Sequence, residues 1–111
     1  MISSVRCWAI LGFVLTLIIF CSVSLAAQDT AGTYKAKCAV CHGADGKGNS
    51  SMAKNLGVRD FSSRDVQQES DSDLKQIIQK GKNKMPAYGT KLSDAQIKDL
   101  VAYVRELGKG R

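Results

Sequence analysis

The run Cys38-Ala39-Val40-Cys41-His42 constrains this chain more than any other stretch, because three side chains able to hold a metal or a cofactor fall there within one helical turn. Positions i, i+3 and i+4 share a helix face, so two thiols and an imidazole can converge on one flat object. Two cysteines separated by two residues and followed at once by histidine form the attachment signature of a c-type haem. The thiols make thioethers with the vinyl groups, and the histidine supplies an axial bond to iron. A chain with this run is expected to fold around a macrocycle, not around its own side chains alone.

Three other uses of the same residues fit less well. A thioredoxin-like redox pair needs a βαβ pattern around it, yet no alternating β-branched run precedes Cys38. A structural zinc site needs four N or S ligands, and the other two cysteines, Cys7 and Cys21, lie in an apolar leader. A Cys38–Cys41 disulfide is compatible with an oxidising compartment, but it leaves His42 and Met85 without a role.

The leader occupies the first 27 residues. Met1 to Arg6 carries one positive charge, Trp8 to Leu25 is almost wholly apolar, and small residues follow at Ala26 and Ala27. This pattern is a secretory signal peptide cleaved after Ala26 or Ala27, or an uncleaved membrane anchor, since the apolar run reaches about the 18 residues at which a span becomes feasible. Export to the periplasm is expected either way, with membrane tethering only if the leader is retained. Residues 28–111 then form a single domain of 84 residues with 15 Lys and Arg against 10 Asp and Glu. At that size an apolar core is marginal without a staple, and the haem would serve as one.

Along the domain, residues 29–38 suggest a first helix capped by Asp29 or Thr30, with Tyr34 inward and the small Ala31 and Gly32 allowing another helix to approach. Residues 43–51 hold three glycines within six positions and read as a loop. Lys47 is followed by Gly48, so the Gly-Lys-Ser/Thr of a phosphate loop is absent. Leu56, Val58 and Phe61 are candidate pocket side chains, and residues 64–68 suggest one helical turn. Ser70 with Asp73 caps a helix whose stripe is Leu74, Ile77 and Ile78 and which Gly81 ends. Ser93 with Gln96 boxes the start of a final helix carrying Ile97, Leu100, Val101, Val104 and Leu107, expected to stop at Gly108. The fold class is all-α.

A single histidine excludes a two-histidine haem within one chain. The sixth position is left to Met85, Met52, a lysine or water. Met85 is favoured: it lies 43 residues beyond His42, and Pro86 removes it from any continuing helix. A thioether is a soft neutral ligand that favours Fe(II) and leaves no open site, so the chemistry becomes electron transfer. A haem enzyme or gas sensor with a labile sixth ligand is the alternative, weakened by the lack of a second histidine. Lys80, Lys82, Lys84 and Lys91 surround the Met85 loop, and Lys35 and Lys37 flank Cys38. Together they suggest a positive rim for acidic redox partners. Nucleic acid is not indicated, since no basic helix is interleaved with aromatics.

Taken together, Cys38-Ala39-Val40-Cys41-His42-Gly43, Gly81-Lys82, Met85-Pro86-Ala87-Tyr88, Leu92-Ser93 and Leu100-Val101-Ala102-Tyr103-Val104 resemble a class I c-type cytochrome of the small single-haem bacterial kind. The resemblance implies a compact monomer of three to four helices around one haem c attached through Cys38 and Cys41. It implies His42 and Met85 as axial ligands, a crossing of first and last helices near Tyr34, Leu100 and Tyr103, and an electron carrier in place of an enzyme. Members of that family often place a proline a dozen residues after the histidine to present a carbonyl to its ring N–H. Here Lys54 stands in that place, and a backbone carbonyl there could still accept the bond. Without a tryptophan in residues 28–111, the haem propionates would fall to Tyr88, Lys54, Arg59 or backbone groups.

Overall fold

The computed structural model describes residues 29–109. The leader expectation, residues 1–27, lies outside them. Six helical segments make up the described chain: α1 over residues 29–37, α2 Ala39–His42, α3 Ser51–Leu56, α4 Arg64–Gln68, α5 Asp71–Lys80 and α6 Asp94–Gly108. Extended pairing among the described residues is limited to one isolated bridge, Lys82 with Met85. No helix among them is long and apolar enough to cross a membrane.

Local chemistry explains most boundaries. Ser93 accepts a bond from the Gln96 N–H while the Gln96 side chain accepts one from the Ser93 N–H, so α6 starts in a full capping box. At the start of α5 the Ser70 hydroxyl accepts from the Asp73 N–H, but the Asp73 carboxylate takes the hydroxyl proton of Ser70 at 2.7 Å. The carboxylate is one methylene shorter than Glu. Helix α3 was not expected from the sequence. Its Ser50 side chain accepts from the Ala53 N–H, and Gly57 ends it in the left-handed conformation.

Two expectations are corrected in α1. Asp29 and Thr30 already lie within α1, so neither caps it. Gly32 faces open space and no helix packs on it. Helix α6 ends at Gly108, as expected. That glycine is the last helical residue and is buried, and a Cβ there would stand 2.8 Å from the Phe61 carbonyl oxygen and collide with the Gln67 side chain. It is a close-approach glycine under the loop that carries Phe61.

The core forms where α1 and α5 pack on α6. Ile97 and Leu100 are 1% and 2% exposed, and Tyr34 is 2% exposed. Tyr34 and Tyr103 meet with ring centroids 5.0 Å apart, at the expected crossing of first and last helices. Arg105 ties α6 to the far side of this core. Its guanidinium donates to the carbonyls of Val66 at 3.2 Å and Gln67 at 3.4 Å, and to that of Glu69, at the end of α4 where a helix leaves acceptors open. The accompanying pair with Asp71 at 2.9 Å is largely exposed and contributes little. Replacing Arg105 by Ala should therefore lower stability by about 2 kcal/mol through the lost charged hydrogen bonds. Lys should restore only part of it, because a point charge cannot serve a fork of carbonyls. Thermal unfolding of the two variants beside the wild type measures this.

Candidate functional site

The site begins where α1 breaks. The Cys38 N–H still bonds to the Tyr34 carbonyl at 2.9 Å, but Cys38 itself has φ −116°, which re-aims the chain into the single turn of α2. That turn is closed by bonds from the N–H groups of Cys41 and His42 to the Cys38 carbonyl, at 3.2 and 2.9 Å. Gly43, at φ +82° and ψ 154°, then diverts the backbone, and its carbonyl receives the Tyr34 hydroxyl at 2.7 Å. The Cys-x-x-Cys-His run is thus held from below by the buried residue of the preceding helix.

Cys38 and Cys41 are free and half-buried. Burial pushes the Cys38 thiol up, with the Lys37 charge opposing and Cys41 adding to the rise. Burial also holds the His42 imidazole below its usual range, helped by the positive charge of Arg59. The imidazole is therefore neutral at physiological pH, the form that can offer a lone pair to a metal. Its ring lies on that of Phe61, with centroids 4.9 Å apart and planes 29° from parallel.

The ring-nitrogen acceptor near Lys54 is not there. Nδ1 of His42 is buried without a hydrogen-bond partner. The carbonyls of Ala53 and Lys54 are taken by the C-cap of α3, which receives the N–H groups of Gly57 and Val58. The helix that the sequence did not disclose turns both carbonyls to its own C-terminal turn. What orients the imidazole instead is Phe61, whose N–H bonds to the Gly46 carbonyl at 3.0 Å and whose ring would be struck by any Cβ on Gly46.

A cleft of about 530 Å³ opens above this turn, within the range of small-molecule and cofactor sites. Cys38, Cys41, His42 and Met85 all line it, as do Leu56, Val58 and Phe61. The remaining wall is apolar and comes from the core helices, including Leu74, Leu100, Val101 and Val104. Arg59, Tyr88, Lys37, Lys82 and Lys84 stand at the lining too, whereas Lys54 does not. Met52 is 45% exposed on the surface and is absent from the lining. Among the described residues no cluster of three His, Cys, Asp or Glu could hold a metal by itself. Two thiols, one neutral imidazole and one thioether around an apolar slot are a donor set that fits haem, which brings its own ring nitrogens.

The family described as cytochrome c oxidase, cbb3-type, subunit III, matches residues 25–104, across the whole of this site. The chain belongs to the class I c-type cytochromes. It is 40% identical over 76 residues to cytochrome c6 of Synechococcus sp., a match covering 68% of this chain and 65% of that protein. Against cytochrome c6 of Parathermosynechococcus lividus it is 36% identical over 74 residues, covering 67% of this chain and 82% of the relative. A cbb3-type cytochrome c oxidase subunit FixP of Azorhizobium caulinodans is 38% identical over 90 residues, but the match spans 29% of that longer protein. Among solved structures, a c-type cytochrome titled KustC0563 superposes with a TM-score of 0.65 at 31% identity, covering 71% of this chain and 96% of that one.

The role given to Gly46 in this cytochrome is open to a direct check. Gly46→Ala places a methyl at φ +73° against the Phe61 ring, so it should cost about 1–3 kcal/mol. It should also move the His42 ring resonances in the NMR spectrum of the haem-loaded protein, because the stacked ring must shift.

Proposed function

We propose that this cytochrome carries single electrons between partner proteins through one haem c, attached at Cys38 and Cys41 and held axially by His42 and Met85. The observation that supports this reading best is the convergence of those four side chains on one apolar cleft, although Met85 is separated from His42 by 43 residues. When bound, haem supplies a one-electron Fe(II)/Fe(III) couple. The chain's own residues do the rest.

His42 gives a neutral nitrogen whose orientation Phe61 maintains by stacking. A soft thioether from Met85 would favour the reduced state of the iron. The apolar wall excludes water from one side of the cofactor. With His42 and Met85 both held to the iron there would be no open position, and with no second histidine to act as a distal acid or base the arrangement suits a carrier and not an enzyme.

Val40, 69% exposed, sits at the cleft mouth with Lys37, Lys82 and Lys84. An apolar contact ringed by lysines suits an acidic redox protein, drawn in by long-range attraction and released quickly. Lys91 is spent partly otherwise, lying 5.7 Å over the Tyr88 ring. The apolar leader agrees with export to the periplasm, as a soluble monomer or one tethered by its first residues.

Two outcomes test this reading. Replacing Met85 by Ala should abolish the weak long-wavelength sulfur-to-iron band and lower the reduction potential by on the order of 100 mV, a fraction of the roughly 0.8 V that axial ligands command. An unchanged spectrum rules out Met85. Raising ionic strength from about 0.01 to 0.15 M shortens the screening length from about 30 to 8 Å, and should slow electron transfer with an acidic redox protein about tenfold. Rates indifferent to salt discard the lysine rim.

A further inference from the structure

The segment that carries Met85 leaves the end of α5 and returns to it. The Gly81 N–H bonds to the Ile77 carbonyl at 2.8 Å, then the N–H groups of Tyr88 and Gly89 bond to the Ile78 and Gln79 carbonyls at 2.9 and 3.0 Å. These carbonyls are the acceptors that a helix end leaves open, so the loop is sewn to the helix at both of its feet. Between the feet Lys82 and Met85 exchange two backbone bonds, at 3.2 and 2.9 Å, around Asn83 at φ +53°. The Tyr88 hydroxyl adds a tie to the Lys37 carbonyl at 3.2 Å, next to Cys38.

Space at the feet is set by backbone alone. A Cβ on Gly81, which has φ +74°, would stand 2.6 Å from the Met85 carbonyl oxygen and 3.1 Å from both the Ala87 nitrogen and the Pro86 carbonyl carbon. A Cβ on Gly89 would stand 2.9 Å from the Gln79 carbonyl oxygen. No flexible side chain is available to yield in either case, and the fixed φ of Pro86 keeps the adjoining residue from absorbing a shift.

We propose that Gly81, assisted by Gly89, is the positioning residue for the sixth ligand. Its missing side chain lets the Met85 backbone seat directly on the end of α5, and this seating sets the reach of the thioether into the cleft. The proposal rests on the Met85 ligation proposed above. It goes further in assigning the closure of the sixth position to a residue that touches neither cofactor nor electron, so that one methyl group at Gly81 converts a closed carrier into a protein that binds small ligands.

The test uses the haem-loaded full chain and carbon monoxide as probe. Gly81→Ala should keep its covalent haem and far-UV circular dichroism, lose at least nine-tenths of the sulfur-to-iron band, and bind carbon monoxide when reduced. The wild type, and Gly32→Ala in the open face of α1, should keep the band and bind none. A Gly81→Ala protein with the full band and no carbon monoxide complex overturns the proposal. A wild type without the band refutes the Met85 ligation itself, a different failure. If Gly81→Ala does not accumulate, Gly89→Ala interrogates the clamp from its other foot: a weakened band supports it, and an unaltered band overturns it.

Discussion

The apolar face of α6 has to serve two surfaces at once. Leu100, Val101 and Val104 are all buried, and the same three residues line the cleft. Tyr34, Phe61, Val66, Leu74 and Leu92 share this double duty. The core of this domain is therefore one half of a larger core, whose other half is a macrocycle. Protein interiors are packed to the density of organic crystals, and a chain of this length has few spare side chains with which to fill such a slot. Covalent attachment through Cys38 and Cys41 makes the filler permanent, so the stability of the fold and the retention of the cofactor become a single property.

The two sides of the site are built by different means. On the histidine side, a break at Cys38, one turn of helix and Gly43 present three side chains from consecutive backbone, and aromatic stacking stands in for the missing hydrogen bond to the imidazole. On the methionine side, a short loop presents Met85, closed by its own Lys82–Met85 bonds and sewn to the end of α5 through carbonyls that the helix would otherwise leave to water. One side is fixed by a single turn of helix and the other by a loop that returns to a helix terminus.

How much of this was legible depended on whether the signal was local. The haem-binding run, Ser93 with Gln96, and the stripe from Ile97 to Val104 each declare themselves within a few residues, and each stands where the periodicity and capping rules put it. Leu56, Val58 and Phe61 were expected in the pocket and line it. Helix α3 was missed because six residues hold too few apolar repeats to show a period, although Ser50 and Gly57 mark both of its ends. With it went the fate of the Ala53 and Lys54 carbonyls. The packing role of Gly108 left no such mark, since a glycine needed for close approach looks like any other until its neighbour is known. The stacking of Phe61 on His42 joins residues 19 apart, and the seating of Met85 on Gly81 depends on the path of the loop between them, so spacing alone carries no trace of either.

The central claim, that a covalently held macrocycle completes the core, is tested most directly by the spectrum of the purified exported chain in alkaline pyridine, together with the mass of the intact protein. The account predicts one haem per chain with both vinyl groups saturated, resistant to extraction by acidified organic solvent. A colourless protein, a haem that extracts freely, or thiols at Cys38 and Cys41 that both remain open to alkylation would contradict it.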